Sequence, residues 1–209
     1  KWQGCCPECR KWNTLEEASS SPSQSKRSTP IKTTPLQSLD EISTKEQTRF
    51  TTNVSEWDRV TGGGIVPGSF SIVTGDPGIG KSTLLLQVCS EFAEKHKVFY
   101  FSTEESLSQV KIRFQRLDKQ SSNLLFSTQA TLEVITETCK KEKPDIVIID
   151  SIQNIYSSEN FSLPGTITQL RESSFHLMKL AKDHNIAVVV TGHITKEGNM
   201  AGPKILEHI

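Results

Sequence analysis

The segment Gly75-Asp76-Pro77-Gly78-Ile79-Gly80-Lys81-Ser82-Thr83 sets two glycines around four residues and follows them with Lys and Ser. That spacing suits a loop whose backbone N–H groups wrap a chain of phosphates, which bulky side chains and most non-glycine dihedrals would prevent. Glycine is therefore expected to be required at Gly75, Gly78 and Gly80. Lys81 offers a full positive charge to the β- and γ-phosphates, and Ser82 a hydroxyl to Mg2+. The competing reading is a glycine-rich turn capped by Ser82. Context favours the phosphate reading: Phe70-Ser71-Ile72-Val73-Thr74 reads as a buried strand, and Ser82 to Ala93 as a helix with an apolar face. The loop then opens onto a helix N-terminus, where unsatisfied N–H groups and partial positive charge attract anions.

Further candidates stand just past other apolar runs, where ligands sit in a parallel sheet. Asp150 follows Ile146-Val147-Ile148-Ile149, the position of a carboxylate that holds the metal through its water shell; a turn or helix cap leading into Ser151 is the alternative. Glu104 and Glu105 follow Val98-Phe99-Tyr100-Phe101 and Ser102. Glu104 is placed to orient and deprotonate a water attacking the γ-phosphate, while both glutamates are also placed to cap a helix starting near Ser106. His193, after Ile186 to Val190 and Thr191-Gly192, is a candidate γ-phosphate sensor or a structural histidine. Lys196 and Lys204, in the glycine-containing stretch beyond it, supply charge for DNA contacts without an aromatic residue to stack bases.

The elements that must position these groups alternate regularly. Strands are expected at Val98 to Phe101, Leu124 to Phe126, Ile146 to Ile149 and Ile186 to Val190. Helices are expected at Leu107 to Leu117, Leu132 to Lys140 and about Thr166 to Asp183. This is the pattern of an α/β fold with a mostly parallel sheet covered on both faces. Ahead of it, Val54 to Val60 reads as a short helix stopped by Gly62-Gly63-Gly64, and Val66-Pro67-Gly68 as a turn.

The remaining sequence is less specific. Lys plus Arg and Asp plus Glu balance at 24 each, so no global basic field advertises nucleic acid, although a local basic face is compatible with neutrality. No apolar run of about 18 residues and no charged-then-apolar leader is visible, so a soluble, cytoplasmic chain is expected. Cys6 and Cys9 form a CxxC that looks like half a zinc ribbon; four ligands are needed, and a redox pair or plain surface cysteines are the alternatives. Cys89 and Cys139 fall inside expected helices and read as packing residues. From Ala18 to Thr34 the chain is rich in Ser, Thr, Pro and Lys with almost no large apolar residue, which reads as a tether.

With these residues assembled, the chain resembles the bacterial RadA (Sms) DNA-repair ATPases, relatives of RecA. The likeness starts at Cys6-Pro7-Glu8-Cys9 with Trp12-Asn13-Thr14-Leu15. It runs through Glu56-Trp57-Asp58-Arg59-Val60-Thr61-Gly62-Gly63-Gly64, the phosphate loop, Ser102-Thr103-Glu104-Glu105-Ser106 and Asp150-Ser151-Ile152-Gln153. It closes on Gly192-His193-Ile194-Thr195-Lys196-Glu197-Gly198 and Ala201-Gly202-Pro203-Lys204. The last segment is far more specific than the loop. Thr103 stands where that family usually has Gly.

The resemblance implies a RecA-like domain over residues 36–209, preceded by a partial zinc ribbon at 1–17 and a linker at 18–35. It implies a fragment that lacks the first zinc cysteine pair and the Lon-protease-like C-terminal domain. It further implies a DNA-dependent ATPase of DNA repair and homologous recombination, which binds single-stranded DNA and promotes processing or branch migration of recombination intermediates. ATP, Mg2+, Zn2+ in the complete protein and a ring-shaped homo-oligomer belong to the same expectation. The alternative function is a RecA-fold nucleotide-binding regulator or phosphotransferase with no DNA substrate. A third reading is a fragment that binds nucleotide without catalysis.

Overall fold

A computed structural model describes residues 36, 38, 40, 49–119, 122–159 and 163–193, with the His193 backbone alone at the last position. The fold belongs to the unit Lys45–Ile209. Among the described residues five α-helices and five strands alternate after a short leading segment. They are α1 (Ser55–Val60), β1 (Phe70–Gly75), α2 (Lys81–Phe92), β2 (Val98–Ser102), α3 (Leu107–Gln115), β3 (Leu124–Ser127), α4 (Leu132–Glu142), β4 (Ile146–Asp150), α5 (Ile167–His184) and β5 (Ala187–His193). A 3-10 turn, Ile152–Asn154, follows β4. Among the described residues no helix is long and apolar enough to cross a membrane.

The strands form one parallel sheet in the order β1-β5-β4-β2-β3. β2 and β4 are buried along nearly their whole length because helices cover both faces, so their sequences are continuous apolar runs rather than alternating ones. The pleat still sorts the side chains. Phe99, Phe101, Val147, Ile149, Val188 and Val190 pack with Ile135 of α4 and Leu177 of α5 on one face. Tyr100, Ile146, Ile148 and Val189 pack with Leu85, Cys89 and Phe92 of α2 on the other. Each such aliphatic side chain contributes about 1.5–3 kcal/mol by leaving water, so the sheet is a rigid base for the loops at its carboxyl edge.

The helices start and stop for local reasons. Ser106 caps α3 in a reciprocal pair with Gln109, and Thr166 caps α5 by accepting from the Gln169 amide. The cap of α3 is therefore Ser106, and neither Glu104 nor Glu105 fills that role. α4 and α5 end at Lys143 and Asn185 in the left-handed region. Cys89 and Cys139 are buried in α2 and α4, and burial pushes the Cys139 thiol up to about 12.

The glycine run after α1 does more than stop a helix. Gly64 has φ +120°, and a Cβ there would press into the Phe50 carbonyl, which accepts from the Ile65 amide at 2.8 Å while the Phe50 amide donates to the Ile65 carbonyl at 2.8 Å. The close approach lets the strand-like residue Phe50 bridge Ile65 just ahead of β1. Arg49 adds hydrogen bonds to the Thr61 and Gly64 carbonyls at 2.8 and 3.2 Å.

Candidate functional site

The loop from Gly75 to Gly80 joins β1 to α2. Gly80 is the N-cap of α2, in the left-handed region at φ +105°, and no side chain caps the helix. Ser82 lies inside the first turn and is not the cap. The leading N–H groups of α2 thus lack a side-chain acceptor, a helix end suited to an anion. A Cβ on Gly80 would meet no atom within 4 Å, so backbone conformation rather than crowding makes glycine necessary there.

Lys81 is buried but for 9% of its surface. Its ammonium donates to the Gly75 and Asp76 carbonyls at 2.7 and 2.9 Å, which holds a cation against the inside of the loop. Pro77, Gly78, Gly80, Lys81, Ser82 and Thr83 line a cleft of about 320 Å3, a size suited to a small-molecule ligand. Ile79 points away, 69% exposed. Glu104, Glu105, Arg113 and Asp150 line the same cleft.

Asp150 ends β4, and both its carboxylate oxygens have partners on neighbouring strands. The Tyr100 hydroxyl donates to Oδ2 at 2.7 Å and the Thr191 hydroxyl to Oδ1 at 2.6 Å. Burial, then the charge of Asp150, drives the Tyr100 phenol far above its ordinary range, so it stays a donor. Burial and the same charge also raise the Cys89 thiol.

The turn carrying Glu104 is tied to the residues after Asp150. The Thr103 amide donates to the Asp150 carbonyl and its hydroxyl to the Ser151 carbonyl, both at 2.8 Å. The Asn154 side-chain Nδ2 donates to the Thr103 carbonyl at 3.3 Å, and the buried Ser151 hydroxyl donates to Glu104 Oε1. The Thr103 hydroxyl thus adds a side-chain tether. Glu105 takes a different partner, accepting from Arg113 at 2.5 Å.

β5 lies between β1 and β4, and His193 pairs with Gly75 in register, so its backbone stands beside the start of the loop. Its side chain, Lys196, Lys204, Cys6 and Cys9 lie outside the described residues. The residues present fit a nucleotide and Mg2+: a bare helix N-terminus, a buried ammonium, a hydroxyl and a carboxylate share one cleft. Among the described residues no group of three or more His, Cys, Asp or Glu could hold a metal by itself.

Sequence reasoning missed Tyr100, Arg113, Ser151 and Thr191. Arg113 lies inside α3 and Tyr100 inside an apolar run, so neither stands at a strand end where a ligand would be sought. Thr191 does stand at such an end, but His193 drew the attention.

Residues 49–199 match the model of an AAA domain. The whole chain is similar to the DNA repair protein RadA of Listeria monocytogenes, 46% identical over 216 residues, and to that of Chlamydia muridarum, 45% identical over 210 residues. It is 41% identical over 216 residues to the Escherichia coli DNA repair protein RadA. In each case all of this chain is covered; it spans 46% of the first two relatives' length and 47% of the third's. A parallel sheet, a phosphate-type loop and an acidic strand end agree with those matches: over its whole length the chain is similar to part of these DNA repair proteins, and it belongs to the AAA-domain family.

Proposed function

We propose that this chain is the Mg2+-dependent, ATP-hydrolysing unit of a DNA-repair ATPase. The observation that carries the reading is the convergence of Lys81, Ser82, Glu104 and Asp150 on one cleft at the carboxyl edge of the sheet. Residues Gly75 to Thr83 cradle the triphosphate through backbone N–H groups and the α2 N-terminus. Lys81 leaves its loop carbonyls for the β- and γ-phosphates, a move between acceptors its flexible stem permits. Ser82 and Asp150 hold the metal. When bound, Mg2+ neutralises charge developing on the phosphates.

Glu104 orients the attacking water and takes its proton, steadied by the Ser151 hydroxyl on one oxygen. His193, beside Gly75 in register, reports the γ-phosphate toward the stretch that carries Lys196 and Lys204, which contact single-stranded DNA. Outside the described residues, 1–17 form part of a zinc ribbon with Cys6 and Cys9 among the ligands, and 18–35 form a tether to the ATPase domain at 36–209. The complete protein assembles as a ring and processes recombination intermediates; similarity to DNA repair proteins supports the DNA-processing part of this reading.

ATP turnover by the complete protein, with and without single-stranded DNA across a salt series, tests the reading. Stimulation that weakens as salt rises is expected, because phosphate contacts release counterions. Turnover with no stimulation and no DNA binding at low salt would leave a RecA-fold regulator instead. Metal analysis of the same protein is expected to find zinc; its absence removes the ribbon.

A further inference from the structure

We propose that Tyr100 and Thr191 are positioning residues for Asp150, fixing its carboxylate so that Mg2+ meets it at low concentration. The inference rests on the Mg2+-dependent hydrolase reading and names residues that serve it. β4 lies between β2 and β5, and each neighbour contributes one hydroxyl to the same carboxylate. Tyr100 is 1% exposed and Thr191 fully buried, so these bonds form away from competing water.

The geometry constrains what Asp150 can do. Each carboxylate oxygen has two acceptor sites, and on each oxygen one is taken by a hydroxyl. The carboxylate plane is pinned from both sides, since rotation about its Cβ–Cγ bond would break both hydrogen bonds together. The sites left over belong to a group that lines the cleft with Lys81 and Ser82. Such a carboxylate is prepared to accept from metal-bound water, and it does not have to be ordered when the ion arrives.

The test uses the complete chain with the substitutions Y100F, T191V, T191S and D150N. A fluorescent ATP analogue is bound first in EDTA and then across an Mg2+ titration, with thermal unfolding recorded for each variant without nucleotide. Binding in EDTA is expected to be unchanged in Y100F, T191V and T191S. The Mg2+ concentration that gives half of the metal-dependent tightening should rise roughly tenfold in Y100F and in T191V, the scale for partners behind a metal ligand. T191S keeps a hydroxyl and should stay near the wild type, which separates hydrogen bonding from packing.

Folded Y100F and T191V with the wild-type Mg2+ midpoint, while D150N loses the metal response, would overturn the positioning role and leave the hydrolase reading standing. A wild-type chain that shows no Mg2+ response would overturn both. A T191S midpoint shifted as far as that of T191V would also overturn the role of the hydroxyl.

Discussion

Arg113 reaches from α3 to Glu105 across 2.5 Å, and both side chains, about 30% exposed, line the cleft that holds Lys81 and Asp150. The pair neutralises one of two adjacent glutamates, leaving the tandem at Glu104 and Glu105 with different partners. Removing the guanidinium by R113A leaves an uncompensated carboxylate facing a site built for polyphosphate. The KM for ATP is expected to rise roughly tenfold, with a smaller change in kcat. E105Q added to R113A should recover part of the loss in steady-state kinetics, because the repelling charge is then gone.

Glu104 occupies a different chemical position. E104Q keeps the shape and can still meet Ser151 but cannot accept a water proton, so kcat is expected to fall by about 100-fold or more. Nucleotide affinity, measured by isothermal titration, should be retained. Unchanged turnover would remove Glu104 from the mechanism.

The bridge beneath the loop predicts a change of stability without one of chemistry. G64A forces a Cβ into the Phe50 carbonyl at a φ of +120°. The strain, on the order of 1–3 kcal/mol, should lower Tm by roughly 5 °C for a domain of this size. The KM for ATP well below the melting transition is expected to stay at its wild-type value, since Gly64 does not line the cleft.

Glu133, in the first turn of α4, ties down the segment after β4. Burial alone would raise its carboxyl, but hydrogen bonds from the Ser157 hydroxyl and the Ser158 amide and hydroxyl bring it from an ordinary 4.5 down to about 2. A folded-state value below the unfolded one adds stability that is fully present above pH 4.5 and disappears as pH falls toward 2. The stability difference between wild type and E133Q, from denaturant melts, should therefore be largest near neutrality and shrink through that window. A difference that grows on acidification would contradict the assignment.

The sequence made most of the scaffold legible because buried parallel strands announce themselves as unbroken apolar runs such as Ile146 to Ile149. Element ends agreed within a few residues, and the strand ends drew attention to Asp150 and Glu104. The partners of those groups were harder to see. Tyr100 and Arg113 acquire their roles from the register of β2 beside β4 and from the face that α3 turns to the cleft, neither of which a single element's pattern contains. The capping alternative for Glu104 and Glu105 fails for a related reason: acidic residues before a helix suit its dipole, but Ser106 with Gln109 satisfies the same amides by direct hydrogen bonds. Lys81 was recognisable as a cation, whereas its two loop carbonyls were not, because they depend on how Gly75 and Asp76 turn.

The insertion of β5 between β1 and β4 also orders events during biosynthesis. Phe70 pairs with Val188, so the strand that carries the loop waits for 118 further residues before its neighbour exists. At ribosomal rates of about 5–20 residues per second, that delay is roughly 6–24 s, during which β1 lacks its β5 neighbour and, once made, Asp150 lacks its Thr191 donor. Nascent chains halted ahead of Ala187 should therefore lack ATP affinity although the whole loop has been translated, and affinity should appear abruptly once β5 can leave the exit tunnel.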